Sequence, residues 1–252
     1  MESPVPAAVL TPHPPPLIAT SLWLPLVLSA QRPDSTPVTL LPITVSVTRA
    51  SLPLTKIPLA VQLVERAQIS RARPTWGLDE ALATVPGVYA ANRYNFSLDQ
   101  RLSIRGFGSR APFAVRGIKV LLDGIPQTLP DGQGQLTNVE LGAADRIEVL
   151  RGSSSALFGN ASGGVISIWT DPTLPPRMSE EVRLVGGRSE RDSRRTWSKW
   201  QSTSLLRLGK GSAQLTLSRL GYEGERDHSD ADLRNVNARV QLPVGEGGGA
   251  GI

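Results

Sequence analysis

Two arginines stand where an apolar, strand-like run meets a glycine: Arg105 in Leu102-Ser-Ile-Arg-Gly-Phe-Gly108, and Arg151 in Arg146-Ile-Glu-Val-Leu-Arg-Gly152. A guanidinium so placed emerges where a sheet meets another surface, and its rigid fork of donors suits carboxylates. Ion pairing is the chemistry expected of both, either across to a second surface or within their own domain. A charge buried there without its carboxylate would be costly. The wider charge balance also fits pairing. Lys+Arg 27 against Asp+Glu 22 give +5, and the arginines are scattered instead of gathered in one run, so no nucleic-acid partner is expected.

Two further segments combine aromatic rings with arginines: Asn92-Arg-Tyr-Asn-Phe-Ser97 and Arg110-Ala-Pro-Phe-Ala-Val-Arg116. Stacking and charge-assisted hydrogen bonds from Arg93, Tyr94, Asn95, Arg110, Phe113 and Arg116 would suit planar, anionic or metal-chelate ligands. The same residues would serve equally as packed or solvated loops.

Catalysis finds little support. The chain has no cysteine, which removes disulfides, thiolate metal sites and thiol nucleophiles. Its two histidines, His13 and His228, fall in a proline-rich leader and a polar loop. Gly152-Ser-Ser-Ser-Ala156 is a poor nucleophile elbow, because its last position is not glycine and no suitable histidine follows. Asp131 in Pro130-Asp-Gly-Gln-Gly134 stands alone, too few carboxylates for calcium. No catalytic residue, metal site or cofactor is expected.

The elements that must position these residues are legible in the periodicity. Ile43-Thr-Val-Ser-Val-Thr48 alternates β-branched and polar residues as a half-exposed strand does, and Ile57–Ile69 reads as a strand running into a short helix. Leu78, Ala81, Leu82 and Val85 fall at helical spacing, with Asp79 and Glu80 near the N-terminus and Pro86-Gly87 as the stop. Short strands are expected at Arg101–Arg105, Ile118–Leu122, Arg146–Leu150 and Gly164–Trp169, joined by Gly-, Asn-, Asp- and Pro-rich turns. Together they describe a small α/β domain over about 43–170. Beyond Pro172 the pattern changes to strict period two. Ala213, Leu215 and Leu217 alternate with Gln214, Thr216 and Ser218, and Val236, Ala238, Val240 and Leu242 with Asn237, Arg239 and Gln241. Transmembrane barrel strands read this way, as do strands of a soluble antiparallel sheet. Upstream, Leu17–Ala30 is an apolar stretch ending in small residues, too short to span a bilayer and broken by Pro25. It reads as a secretory signal with cleavage after Ala30, although Met1–Pro16 lacks the usual basic residues.

The order and spacing of Gly77-Leu-Asp-Glu-Ala-Leu82, Val85-Pro-Gly-Val88, Leu102–Gly108, Val120-Leu-Leu-Asp-Gly-Ile-Pro126, Arg146–Gly152, Ala156-Leu-Phe-Gly-Asn160 and Ser162-Gly-Gly-Val-Ile166 closely resemble the plug of TonB-dependent outer-membrane receptors. Glu181–Val244 resembles the opening barrel strands of that family less specifically. The resemblance implies an α/β plug domain, a small mixed sheet with short helices, followed by antiparallel amphipathic strands of an incomplete transmembrane β-barrel. It implies a non-enzymatic role in energised uptake, with TonB and its inner-membrane energising complex as partners and the outer membrane as location. Arg105 and Arg151 match arginines that pair with glutamates on the inner barrel wall and lock the plug. Ile43, Thr44, Val45, Ser46 and Val47 are the best match to the segment that adds as a strand to TonB, or else form the first plug strand. Pro130–Gly134 resembles a subgroup whose ligands include iron–siderophore complexes, ferric citrate and a redox cofactor, pyrroloquinoline quinone.

The expected organisation is a signal peptide at 1–30, a flexible linker at 31–42, the plug at 43–172 and a partial barrel at 173–252. A plugged transporter barrel needs roughly 22 strands, and the region after Pro172 offers about four of them. The expectation is therefore a truncated receptor, with a stand-alone periplasmic plug-like binding protein or a non-functional product as the alternative.

Overall fold

In a computed structural model of the chain, residues 44–46, 52–71, 73–91, 94, 96, 100–110, 115–129, 131–134, 136–170, 177–189, 192–244 and 248–251 are described. They all belong to the unit Pro42–Ile252. The expected signal segment lies outside the described residues.

A first ribbon pairs β1 (Thr44–Val45) with β2 (Leu52–Pro53). Next come β3 (Ala60–Glu65), α1 (Arg66–Ser70) and α2 (Leu78–Leu82). The helix α2 turns Leu78, Ala81 and Leu82 into the core. Glu80, expected only to complement the helix dipole, is buried, and its carboxylate accepts the backbone N–H groups of Thr75 (2.8 Å) and Trp76 (2.7 Å). β4 (Val88–Ala91) pairs antiparallel with β5 (Arg101–Ile104). β6 (Ile118–Leu122), β7 (Ile125–Pro126), β8 (Arg146–Arg151), α3 (Ser155–Phe158) and β9 (Gly164–Trp169) complete this part.

The main plug sheet runs β3-β8-β9-β6-β7, with only the β6/β9 pair parallel. Its central strands are buried on both faces, which explains why Gly164–Trp169 reads as an apolar run with one serine rather than as an alternation. Ile147, Val149, Ile166, Ile168, Ile118 and Val120 face a large core with α2 and β5. Leu150, Val165 and Leu121 face a smaller one that includes Val45 and Ile57.

After Arg177 the architecture becomes an antiparallel meander. β10 (Met178–Arg188), β11 (Thr196–Leu208), β12 (Gly211–Tyr222), β13 (Ala231–Val244) and the short β14 (Gly248–Gly251) pair in chain order. The sheet is open among the described residues. β11 and β12 meet in a two-residue turn at Gly209–Lys210, whereas 223–230 makes a longer loop between β12 and β13 at the other end. Short turns at one end and long loops at the other are characteristic of outer-membrane barrels. β11 escaped the period-two reading because serines 198, 202 and 204 interrupt its apolar face, leaving it without a clear alternation.

Candidate functional site

The functional geometry begins with the polarity of this second sheet. Across the ladder Lys199 pairs with Leu220 and Leu220 with Leu233, so one face carries Lys199, Gln201 and Thr203 of β11, Gln214, Thr216 and Ser218 of β12, and Asn235 and Arg239 of β13. On β11 and β12 these polar side chains are buried. The opposite face carries Val182, Leu184, Trp200, Leu206, Leu215, Val236, Val240 and Leu242, all exposed. A sheet packed on an aqueous protein core has the reverse arrangement. This one turns its polar side to the plug and its apolar side outward, as a lipid-facing wall does.

What the polar side meets is specific. Glu140 caps a short 3-10 turn, Leu141–Ala143, accepting the N–H of Gly142 at 2.9 Å. Its carboxylate also accepts from Lys199 Nζ (2.8 Å), Ser218 Oγ and Asn235 Nδ2 (3.4 Å). Lys199 Nζ donates in addition to the Thr75 carbonyl (2.6 Å) and hydroxyl (3.3 Å). Side-chain exposure is 6% for Lys199 and 2% for Glu140, so the pair is dry. A second tie joins Arg239 to Asp123 at 3.1 Å, where Asp123 also accepts the N–H (2.8 Å) and hydroxyl (2.6 Å) of Thr170. Arg183 donates to the Ser70 and Arg73 carbonyls, and Gln214 Nε2 to the Ala143 carbonyl.

At the two best-buried ties the carboxylate belongs to the plug and the cation to the strands. Sequence reasoning anticipated plug arginines and wall glutamates, a polarity found here at the half-exposed Arg66–Glu181 pair (2.6 Å). Glu140, Lys199, Asp123 and Arg239 were all missed. One signal was present: Glu140 stands between Val139 and Leu141, and Lys199 falls on the same parity as Gln201 and Thr203 in β11.

The anticipated arginines come together beside Pro86-Gly87. Arg151 Nη1 donates to the Pro86 carbonyl (3.1 Å) and the Arg105 backbone N–H to the Gly87 carbonyl (2.8 Å). Arg105 is exposed at φ +50°, and the buried Nε of Arg151 has no hydrogen-bond acceptor among the described residues. Of the two aromatic segments, Tyr94 joins a cluster that sequence gave no means to assemble. Trp76 meets Trp197 edge-on at 4.7 Å, Tyr94 stacks on Tyr222 at 5.8 Å, and Phe96 meets Tyr222 at 5.5 Å. Arg116 faces Asp131 at 4.0 Å instead, and Arg110 is exposed. Arg93, Asn95 and Phe113 lie outside the described residues.

In the N-terminal segment Val45 is fully buried, and the Ser46 N–H donates to Glu148 Oε2 at 2.8 Å. Glu148 is itself fully buried and paired with Arg146 at 3.2 Å. Ile43 and Val47 lie outside the described residues.

A family model for the TonB-dependent receptor plug domain matches residues 53–165, the span holding the mixed sheet up to the start of β9, Glu140 and both candidate arginines. Residues 53–165 are a TonB-dependent receptor plug domain. The pesticin receptor of Yersinia pestis is 30% identical over 212 residues, which is 83% of this chain and 29% of that protein. A pesticin receptor from Yersinia enterocolitica is 32% identical over 149 residues, 58% of this chain and 20% of that protein. The chain thus spans under a third of these curated relatives. Among solved structures, the siderophore receptor PirA of Acinetobacter baumannii superposes with a TM-score of 0.56 at 18% identity, over 73% of this chain and 29% of that one. A ferric enterobactin receptor of Pseudomonas aeruginosa does so with 0.57 at 16% identity, over 75% and 31%. These likenesses extend past the plug into the strands that follow, and they establish the fold of both.

Proposed function

We propose that this chain provides the gate and the first wall strands of an outer-membrane receptor that takes up a scarce ligand of the iron–siderophore class. TonB and its inner-membrane complex supply the energy, and the chain itself performs no catalysis. The observation that carries the reading is the inverted sheet: an apolar outward face beside a polar face held to the plug by buried ion pairs. The relatives add to it, one being a pesticin receptor and another structure a ferric enterobactin receptor in complex with enterobactin. Ferric citrate and a redox cofactor are the alternative ligands.

In this reading Arg105 and Arg151 lock the plug to wall carboxylates; the unaccompanied Nε of Arg151 supports that role. Tyr94 takes part in the ligand-facing surface with Trp76, Trp197 and Tyr222; Arg93 and Asn95 flank it in sequence, and Arg110, Phe113 and Arg116 supply a second ligand-facing loop. Residues 43–47 form the coupling segment. Docked through Val45 and Ser46, it rests on a buried carboxylate of the central strand β8, so a pull on it would be felt directly by the plug sheet.

The test is iron accumulation from ferric enterobactin by cells that lack their own siderophore receptors and produce a full-length receptor that carries this chain. Accumulation should require TonB, and charge reversal at both Arg105 and Arg151 should abolish it or make it TonB-independent. Recovery of the protein as a soluble periplasmic species, or no siderophore binding at all, would overturn the reading.

A further inference from the structure

The Glu140 cluster does more than hold two surfaces together. Lys199 has three ammonium protons and meets three acceptors: Glu140 Oε1, the Thr75 carbonyl and the Thr75 hydroxyl. On the carboxylate, Oε1 receives Gly142 N–H and Lys199, and Oε2 receives Ser218 and Asn235. Every strong donor and acceptor site of the ion pair is thus used. The three strand partners come from β11, β12 and β13, three neighbours in the ladder.

We infer that Glu140 is a register key, a positioning residue that selects the one seating of the wall strands on the plug. Apart from the less buried Arg239–Asp123 pair and the bonds from Arg183 to backbone carbonyls, the inner face of the strands is permissive. Gln201, Thr203, Gln214 and Thr216 are neutral, and Gln201 and Gln214 leave buried amide oxygens without a donor among the described residues. Such side chains would accept neighbouring positions almost equally. Because side chains alternate along a strand, the next allowed seating is a slide of two residues, about 7 Å. That slide replaces Lys199 with Trp197 or Gln201 opposite Glu140, leaving a dry carboxylate without its cation and a dry ammonium without its acceptors. Neither can be tolerated at such low exposure. Gly142 sharpens the choice, since a side chain there would collide with the Gln201 amide. Buried ionic groups that select register at the expense of raw stability are known elsewhere in proteins. The inference rests on the plug–wall reading above.

The cysteine-free chain allows a direct test. In detergent micelles, Gly142→Cys with Gln201→Cys reports the observed register, and Gly142→Cys with Thr203→Cys and Gln201→Ala, which clears the amide that a side chain at 142 would strike, reports the seating shifted by two residues. Disulfide yields are read by mass spectrometry under mild oxidation. In an otherwise unaltered chain the 142–201 link should exceed the 142–203 link by about tenfold or more, the factor that roughly 1.4 kcal/mol of register preference confers. The paired change Glu140→Met with Lys199→Met removes both charges and keeps the volume, so folding is retained, while the two links should approach equal yield. If that variant keeps the original preference, Glu140 is not the key. If the 142–201 link fails even in the unaltered background, the plug–wall seating itself is wrong and the key falls with it.

Discussion

Gly164 sits at φ +146°, and a Cβ there would lie 2.2 Å from the Leu150 carbonyl oxygen on the neighbouring strand. Both the backbone conformation and the contact exclude a side chain. Gly164→Ala should therefore destabilise the plug by about 2–4 kcal/mol, the sum of a strained backbone and an overpacked strand pair. Gly124→Ala supplies the control: φ is +83° there, but nothing lies within 4 Å, so its loss should be smaller, about 1–2 kcal/mol. Urea unfolding of both variants checks the difference, and equal losses would mean that the close approach at Gly164 is not what requires glycine. The need for close approach at Gly163-Gly164 was readable from sequence, because two adjacent glycines ahead of an apolar run have few other uses. The identity of the group approached was not, since Leu150 precedes them along another strand.

At the scale of elements, the outward face of β12 and β13 decides between a membrane wall and a soluble sheet. Val236 is 74% exposed and pairs across the ladder with Leu217 on the same face. In water, Val236→Arg should change stability by less than about 0.5 kcal/mol. In a bilayer the same substitution should cost about 2–4 kcal/mol if the position lies near the midplane. Comparing folding yields of the two chains in lipid vesicles measures this, and indifference to the arginine would argue against a lipid-facing sheet. Period two in 213–218 and 236–242 made these strands visible beforehand but left open which face turns inward. A pattern of alternate apolar residues is identical for a membrane barrel and for a soluble sheet. Only contact between the polar face and Glu140, Asp123 and Ala143 separates the two.

For the whole molecule, the two hydrophobic cores draw their buried side chains from Val45 to Ile168 and from none of the strands that follow. Residues 43–170 expressed alone should accordingly be soluble and unfold cooperatively. Residues 178–244 alone should aggregate, because their apolar face has no lipid and their inner cations no plug carboxylates. Sedimentation and circular dichroism of the two pieces test this; a soluble, structured second piece would contradict it. The plug alone should be less stable than in the chain, since Glu140 loses Lys199 yet regains water.

The sequence by itself determined much of the plug: β5, β6, β8 and β9, the helix at Leu78–Leu82 and the glycine-bounded motifs follow from local periodicity and turn chemistry, which act over a few residues, whereas β4 and β7 were not legible there. The pairing of plug with the second sheet had to wait for the tertiary structure. Glu140 and Lys199 are 59 residues apart along the chain, and no local pattern tells a buried carboxylate which distant strand will bring its cation. The arginines at 105 and 151 illustrate the same limit from the other side. Their types and spacing announced ion pairing, and the fold brought them together beside Pro86-Gly87, but the buried ties to the second sheet run through other residues and with the opposite polarity.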